Sequence, residues 1–304
     1  MAAISVVIPT YNYGHYINRA IDSILNQTVL PVEIIIIDDG STDNTEQIIS
    51  KNYLNNGNDK IIYIKKINGG AASARNLGIK NAKGEFILML DADDKLEPNS
   101  IKIFTEKVKQ FPMADMVTGG SLSVKSSQHK KYRPAPLVKE NKLDNFKAFL
   151  NKKLSISHGK FIVRKSKFDL IKYPEHLLSN EDISVIAQLI ATCNIVTVDA
   201  TIVQYFHHND SLRYNHKFVE KAGLSVVDTV FDSKILPPEF LKYRSTFYTH
   251  RCLSLFRRLY KNGQYKKAEK YFNMALGQSF LVLFKWKYLL KYLRMKSMNL
   301  AGFS

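Results

Sequence analysis

Through the first 120 residues, short apolar runs alternate with stretches of helical spacing. ISVVIP (Ile4–Pro9) is a β-branched run closed by proline and predicts a strand. In YINRAIDSILNQ, Ile17, Ala20, Ile21, Ile24 and Leu25 recur on one helix face. EIIIIDDGS predicts a second strand that empties into two acids and a turn glycine. Asp43 and Glu46 then have the spacing of a capping box for the next helix. KIIYIKK predicts a third strand, AASARNLGIKNA a helix after NGG, and GEFILML a fourth strand that runs into DADD. Continuous apolar strands separated by helices predict an α/β fold, a mostly parallel sheet sandwiched by helices. In such sheets ligands bind beyond the carboxyl ends of the strands, where PTYN, DDGS and DADD all lie.

After residue 120 the pattern loosens. SSQHKKYRPAP reads as a loop and LDNFKAFLNKK as a helix. NEDISVIAQLIATC predicts a helix with two acids in its first turn, where the macrodipole favours them. IVTVDATIVQYFHH reads as a strand. From about Val219 onward the pattern is helical, with RCLSLFRRLYKNGQYKKAEKYFNMAL predicting a helix–turn–helix pair. FLVLFKWKYLLKYLRMK predicts a closing helix with Lys287, Lys291 and Arg294 at i, i+4 and i+7.

Composition bounds the compartment and the partners. Two cysteines, Cys193 and Cys252, are too few for a disulfide framework and lack metal-site spacing, so a reducing cytoplasm is expected. The start MAAISVVIPTYN has no basic region before a long apolar core, so no signal peptide is expected. No run of about 18 uninterrupted apolar residues predicts a transmembrane helix. The net charge of +17 is uneven: residues 1–120 hold 12 basic against 14 acidic side chains, and residues 251–304 hold 12 basic against Glu269 alone. On charge, nucleic acid, phospholipid head groups and a polyanionic substrate all fit the basic end. No nucleic-acid motif is present, so nucleic acid is not expected. An interfacial helix with Lys/Arg beside aromatics and a solvated basic face remain as readings.

The candidate chemistry starts from Asp91 and Asp93. Two apart on extended chain, they point the same way, which suits a shared divalent cation or a cation-bridged diphosphate as well as a solvated turn.

VVIPTYN, IIIIDDGSTDNT, NGGAASARNLGI and FILMLDADD, in this order and spacing, resemble the inverting nucleotide-sugar glycosyltransferases of the GT-A fold, glycosyltransferase family 2. The resemblance covers roughly residues 4–100, with looser agreement to about 215. It implies a GT-A catalytic domain over 1–218, with a nucleotide-sugar half (1–100) and an acceptor half (101–218), followed by a basic helical region over 219–304. It implies a uridine diphosphate sugar donor, Mn²⁺ or Mg²⁺, and hexosyl transfer with inversion to the hydroxyl of a saccharide or lipid-linked saccharide. Synthesis of a bacterial surface polysaccharide or glycolipid, in the cytoplasm or at the inner face of the membrane, is the setting implied.

Residue by residue, the resemblance makes Pro9, Thr10, Tyr11 and Asn12 the loop beneath the nucleotide and Asp39 the acid that binds a uracil-type base. Arg75 becomes a contact to the nucleotide or its diphosphate, and Asp91 and Ala92 line the nucleotide-sugar. Asp93 and His208 become the metal ligands, Asp182 the catalytic base, and Glu181 and Asp94 acceptor contacts. In YFHHNDS, His207 stays a candidate beside His208, and Phe206 stands where the family commonly has arginine, with Arg213 as a substitute. His158 begins the segment that borders the acceptor. Two other readings stand beside this one. A sugar-nucleotide pyrophosphorylase should carry a glycine-rich basic loop after the first strand, and PTYNYGHY has none. The second is a non-catalytic membrane-surface or nucleotide-binding protein on the same fold.

Overall fold

The computed structural model describes residues 2–55, 57, 59–177, 179–208 and 223–300, with the backbone alone at 298–300. The chain divides into two compact units, Met1–His216 and Lys217–Ser304.

In the first unit the strands are β1 (Ile4–Thr10), β2 (Glu33–Asp38), β3 (Ile61–Lys65), β4 (Phe86–Met89), β5 (Lys95–Leu96), β6 (Met116–Val124), β7 (Lys130–Arg133), β8 (Phe161–Arg164) and β9 (Ile195–Phe206). They form one sheet in the order β3-β2-β1-β4-β8-β6-β9-β5, with β7 paired to β6. The three pairings through β3, β2, β1 and β4 run parallel, the half predicted from continuous apolar runs. Ile34 to Ile37 are fully buried, because helices cover both faces and no position on β2 reaches water. β8 enters antiparallel between β4 and β6, so the second half of the sheet is mixed.

The helices are α1 (Gly14–Leu25), α2 (Thr45–Ile49), α3 (Ala71–Asn81), α4 (Ser100–Gln110), α5 (Lys142–Leu150) and α6 (Glu181–Thr192). The buried face of α1 carries Ile17, Ala20, Ile21 and Ile24 and joins the core beneath β1, β2 and β4. α3 lies close against β1 at Gly78, where a Cβ would come within 2.2 Å of Val7 Cγ1.

Several local expectations change. The capping box does not form: Asp43 accepts from the Thr45 N–H at 3.0 Å and from the Gly14 N–H at 3.1 Å, while Glu46 pairs with Lys65 at 2.6 Å. The stretch read as a loop at SSQHKKYRPAP contains β7, an exposed strand on β6. β6 itself (MVTGGSLSV) escaped the apolar pattern because two glycines interrupt it. Both are needed, since Cβ atoms would meet Ile202 Cγ1 at 2.4 Å from Gly119 and the Arg133 carbonyl at 2.9 Å from Gly120.

The second unit contains α7 (Ser225–Val230), α8 (Pro238–Leu241), α9 (Arg244–Lys261), α10 (Tyr265–Gln278) and α11 (Trp286–Leu300). α9 and α10 are the predicted pair, turned at Gly263 with φ +71°. Their own core joins Cys252, Phe256 and Leu259 to Ala268, Phe272, Val282 and Met295. The closing helix is broken in two, a 3₁₀ turn over Phe280–Phe284 followed by α11. Cys193 and Cys252 are both buried free thiols. Among the described residues no helix is long and apolar enough to cross a membrane.

Candidate active site

The polar clusters at the ends of β1 and β2 are laced together by Asn12. Its backbone takes φ +56°, a left-handed conformation that asparagine tolerates better than most residues. Its Oδ1 accepts the Thr42 N–H at 2.8 Å and its own N–H donates to Ser41 Oγ at 2.9 Å. Pro9 and Thr10 close β1, Tyr11 is exposed, and the buried Thr10 Oγ1 has no hydrogen-bond partner.

Asp39 is buried and accepts three hydrogen bonds, from Gly69 N–H at 2.9 Å, Gly70 N–H at 2.7 Å and Lys66 Nζ at 2.7 Å. It therefore shapes the NGG turn that starts α3. A carboxylate has about four acceptor sites, so one is left for a ligand.

Arg75, on the second turn of α3, is the hub of the site. Its Nη2 donates to Asp91 Oδ1 at 3.1 Å and its Nη1 to Glu181 Oε1 at 2.7 Å. The guanidinium also lies 5.5 Å from the ring centroid of the buried Tyr173. Although burial opposes its charge, Asp91 and Glu181 hold it firmly protonated. Among the described residues its buried Nε has no hydrogen-bond partner. One side chain thus ties the end of β4 to the start of α6.

Asp182 follows Glu181 in the first turn of α6, entered through the left-handed Asn180 at φ +63°. Burial, then the neighbouring Glu181 charge, push its carboxyl up to about 6 against the opposing pull of Arg75. His158 donates or accepts at Nε2 with Tyr173 Oη, 2.8 Å away, and its Nδ1 is 4.0 Å from Asp91 Oδ1. Burial first, and Arg75 second, lower its basicity to about 3, so the ring is neutral.

On the other side of the DADD turn, His208 Nε2 lies 2.7 Å from Asp93 Oδ2. His207 instead meets Ser123 Oγ at 2.7 Å, so the structure brings His208, not His207, to Asp93. Ala92 between the acids is buried. Asp94 is buried too, and its Oδ1 accepts the Phe206 N–H at 3.2 Å, which fastens the turn to the end of β9. Asn209, Asp210, Ser211 and Arg213 lie outside the described residues.

Among the described residues no group of three or more His, Cys, Asp or Glu side chains could hold a metal alone. Asp93 and His208 nevertheless fit a cation shared with phosphate oxygens, since Mg²⁺-type sites commonly use one or two protein ligands plus substrate. Burial and then Asp91 raise the pKa of Asp93, a crowding of negative charge that a cation relieves. Among the described residues the buried His208 Nδ1 has no hydrogen-bond partner.

Several side chains around this pair were invisible to the sequence pattern. α1 turns Tyr16 and Arg19 toward it: the Tyr16 ring is 4.5 Å from the His208 ring, with Tyr13 at 5.7 Å. Arg19 donates through Nη2 to the Asp93 carbonyl and lies 3.8 Å from the Phe206 ring centroid. Arg19 sits between Asn18 and Ala20 with no motif around it. Its role appears only when α1, the DADD turn and the end of β9 meet.

The family model for Glycosyl transferase family 2 matches residues 5–170. Among curated proteins, the chain is 49% identical over 100 residues to a chondroitin synthase of Pasteurella multocida, covering 33% of this chain and 10% of that protein. It is 40% identical over 116 residues to glycosyltransferase GlyG of Streptococcus pneumoniae, covering 38% of each. The chain therefore spans a minor part of the length of these relatives. Among solved structures, residues 1–349 of S. aureus TarS in complex with UDP-GlcNAc match with a TM-score of 0.66 at 20% identity, over 99% of this chain and 92% of that one. At that identity the likeness carries the fold.

Proposed function

The chain belongs to glycosyl transferase family 2, and from that premise we propose that it transfers a sugar, with inversion, from a uridine diphosphate donor to an acceptor hydroxyl. The acceptor is a saccharide or lipid-linked saccharide in the synthesis of a surface polysaccharide or glycolipid. The observation that carries this reading is the Arg75 bridge at 3.1 and 2.7 Å to Asp91 and Glu181. It brings the acids at the end of β4 and the start of α6 into one site, although Arg75 and Glu181 are 106 positions apart. The pyrophosphorylase reading does not fit this family. The curated relatives are named as synthases and glycosyltransferases, and the TarS structure holds UDP-GlcNAc.

In this mechanism Asp39 takes the base through its remaining acceptor site, and the PTYN loop floors the nucleotide. Asp93 and His208 would hold Mn²⁺ or Mg²⁺, which, when bound, offsets charge on the departing diphosphate. Arg75 fixes Asp91 beneath the donor and Glu181 beside the base. Asp182 takes the proton from the acceptor hydroxyl as its oxygen bonds the anomeric carbon and the bond to the diphosphate breaks. A carboxyl raised to about 6 is a better base near neutrality than an ordinary aspartate and is still ionised there.

The test is transfer and donor hydrolysis with uridine diphosphate sugars in the presence of Mn²⁺. Asp182→Asn should keep nucleotide binding and lose transfer by ~10²–10⁴-fold, and Asp93→Ala should lose the metal dependence of nucleotide binding. Wild-type turnover by Asp182→Asn would place the base elsewhere. Tight nucleotide binding with no turnover by the unmodified chain would favour the non-catalytic reading.

A further inference from the structure

The second unit presents an apolar surface that its own core does not use. Phe280, Leu281 and Phe284 in the 3₁₀ turn, and Trp286, Leu290 and Leu293 in α11, are each between 54% and 69% exposed. Monomeric soluble proteins rarely leave so many large apolar side chains together in water. On α11 the exposed residues 286, 290 and 293 follow i, i+4, i+7 spacing and share a face. Lys287, Lys291 and Arg294 repeat the same spacing one residue on, so a cationic stripe runs beside the apolar one. Met295, by contrast, is fully buried in the unit's core, and Tyr288, Leu289 and Tyr292 pack against that core. The helix is thus anchored by one face and offers tryptophan, leucine and cations on the other.

Charge decides what can cover this face. A second copy of the chain in a two-fold contact would set this patch against the same patch. That contact would press Lys287, Lys291 and Arg294 against like charges. The only acid in residues 251–304 is Glu269, and it is already paired with Lys296. A nucleic acid supplies phosphates but gives the exposed leucines Leu281, Leu290 and Leu293 nothing to enter. A bilayer rich in anionic phospholipid supplies both parts, acyl chains for the aromatics and leucines and phosphates for the cations. We propose that the segment from Phe280 to Arg294 is a peripheral membrane-binding surface for anionic phospholipid, with Phe284, Trp286 and Leu290 entering the interface. The proposal deepens the reading of a lipid-linked acceptor but does not depend on transfer activity.

Trp286 is the only tryptophan in the chain, so its fluorescence reports on this surface directly. The full chain is titrated with vesicles of equal parts phosphatidylcholine and phosphatidylglycerol, and with phosphatidylcholine alone. A blue shift of the emission and co-sedimentation are expected with the anionic vesicles. Affinity should exceed that for neutral vesicles by ~10-fold or more and fall as salt is raised. Phe284→Ser with Leu290→Ser should abolish the shift without lowering the unfolding temperature, because both side chains are exposed. Lys287→Glu with Arg294→Glu should remove the preference for anionic lipid. An emission that vesicles leave unchanged overturns the proposal. So does a blue shift that follows protein concentration alone, the mark of self-association, or heparin binding in the absence of any vesicle response. Activity is not read in any arm, so failure here leaves the glycosyltransferase reading to its own tests.

Discussion

At the scale of single residues, two desolvated groups shifted in opposite directions make predictions about pH. Asp182 is raised to about 6, foremost by burial and next by Glu181. As the proposed base, Asp182 must be ionised, so transfer should rise with pH through about 6 and level off above it. Glu181→Gln removes the repelling charge and leaves more of Arg75 to Asp182, so the acidic limb should move to lower pH; kcat/KM profiles of the two proteins check this. Lys160 is the second case. It is buried, and burial followed by Arg133 lowers its pKa to about 8. The folded chain then releases its proton before the unfolded chain does, so stability rises with pH from about 8 to the ordinary lysine range. Below about 8 the whole cost of burying the ammonium remains. Lys160→Met should therefore raise Tm at neutral pH, on the order of 4 °C, and flatten the alkaline rise; calorimetry across pH would show both.

At the scale of elements, α1 acts as a brace for the pair at Asp93 and His208. Arg19 holds the Asp93 carbonyl and the Phe206 ring, Tyr16 lies against His208, and Asp94 ties the same turn to the Phe206 N–H. Groups that orient metal ligands typically matter by 10–100-fold in metal affinity. With Asp93 and His208 as the proposed ligands, Arg19→Met should weaken Mn²⁺ binding, read by electron paramagnetic resonance, by about 10-fold or more, with Arg19→Lys partly restoring it. The strand ends and their acids were legible because β1, β2 and β4 are buried on both faces and, with the half-buried edge strand β3, read as apolar runs. The brace was not legible, because Arg19, Tyr16 and Phe206 come together only through tertiary contact. β6 was hidden by its glycines, which close packing against β9 requires. Asp94, which the resemblance implies as an acceptor contact, also accepts the Phe206 N–H and fastens the turn to β9, a contact no sequence pattern marks.

At the scale of the molecule, the two units keep separate cores and separate charge. Residues 1–120 are near neutral, with acids gathered at strand ends, while the helical unit is strongly basic. The acidic side chains suit a cation and a base, and the basic helices suit a polyanionic surface. On the proposed reading, nucleotide choice belongs to the first unit and turns on how fully Asp39 is occupied. With three donors already in place, from Gly69, Gly70 and Lys66, the carboxylate has room for a single N–H. Uracil presents one such donor at its pairing edge. Guanine presents two side by side, and one of them would be left dry against a saturated carboxylate. Selection against guanine nucleotides would then arise from an acceptor that is missing, set by the glycine turn that took the others.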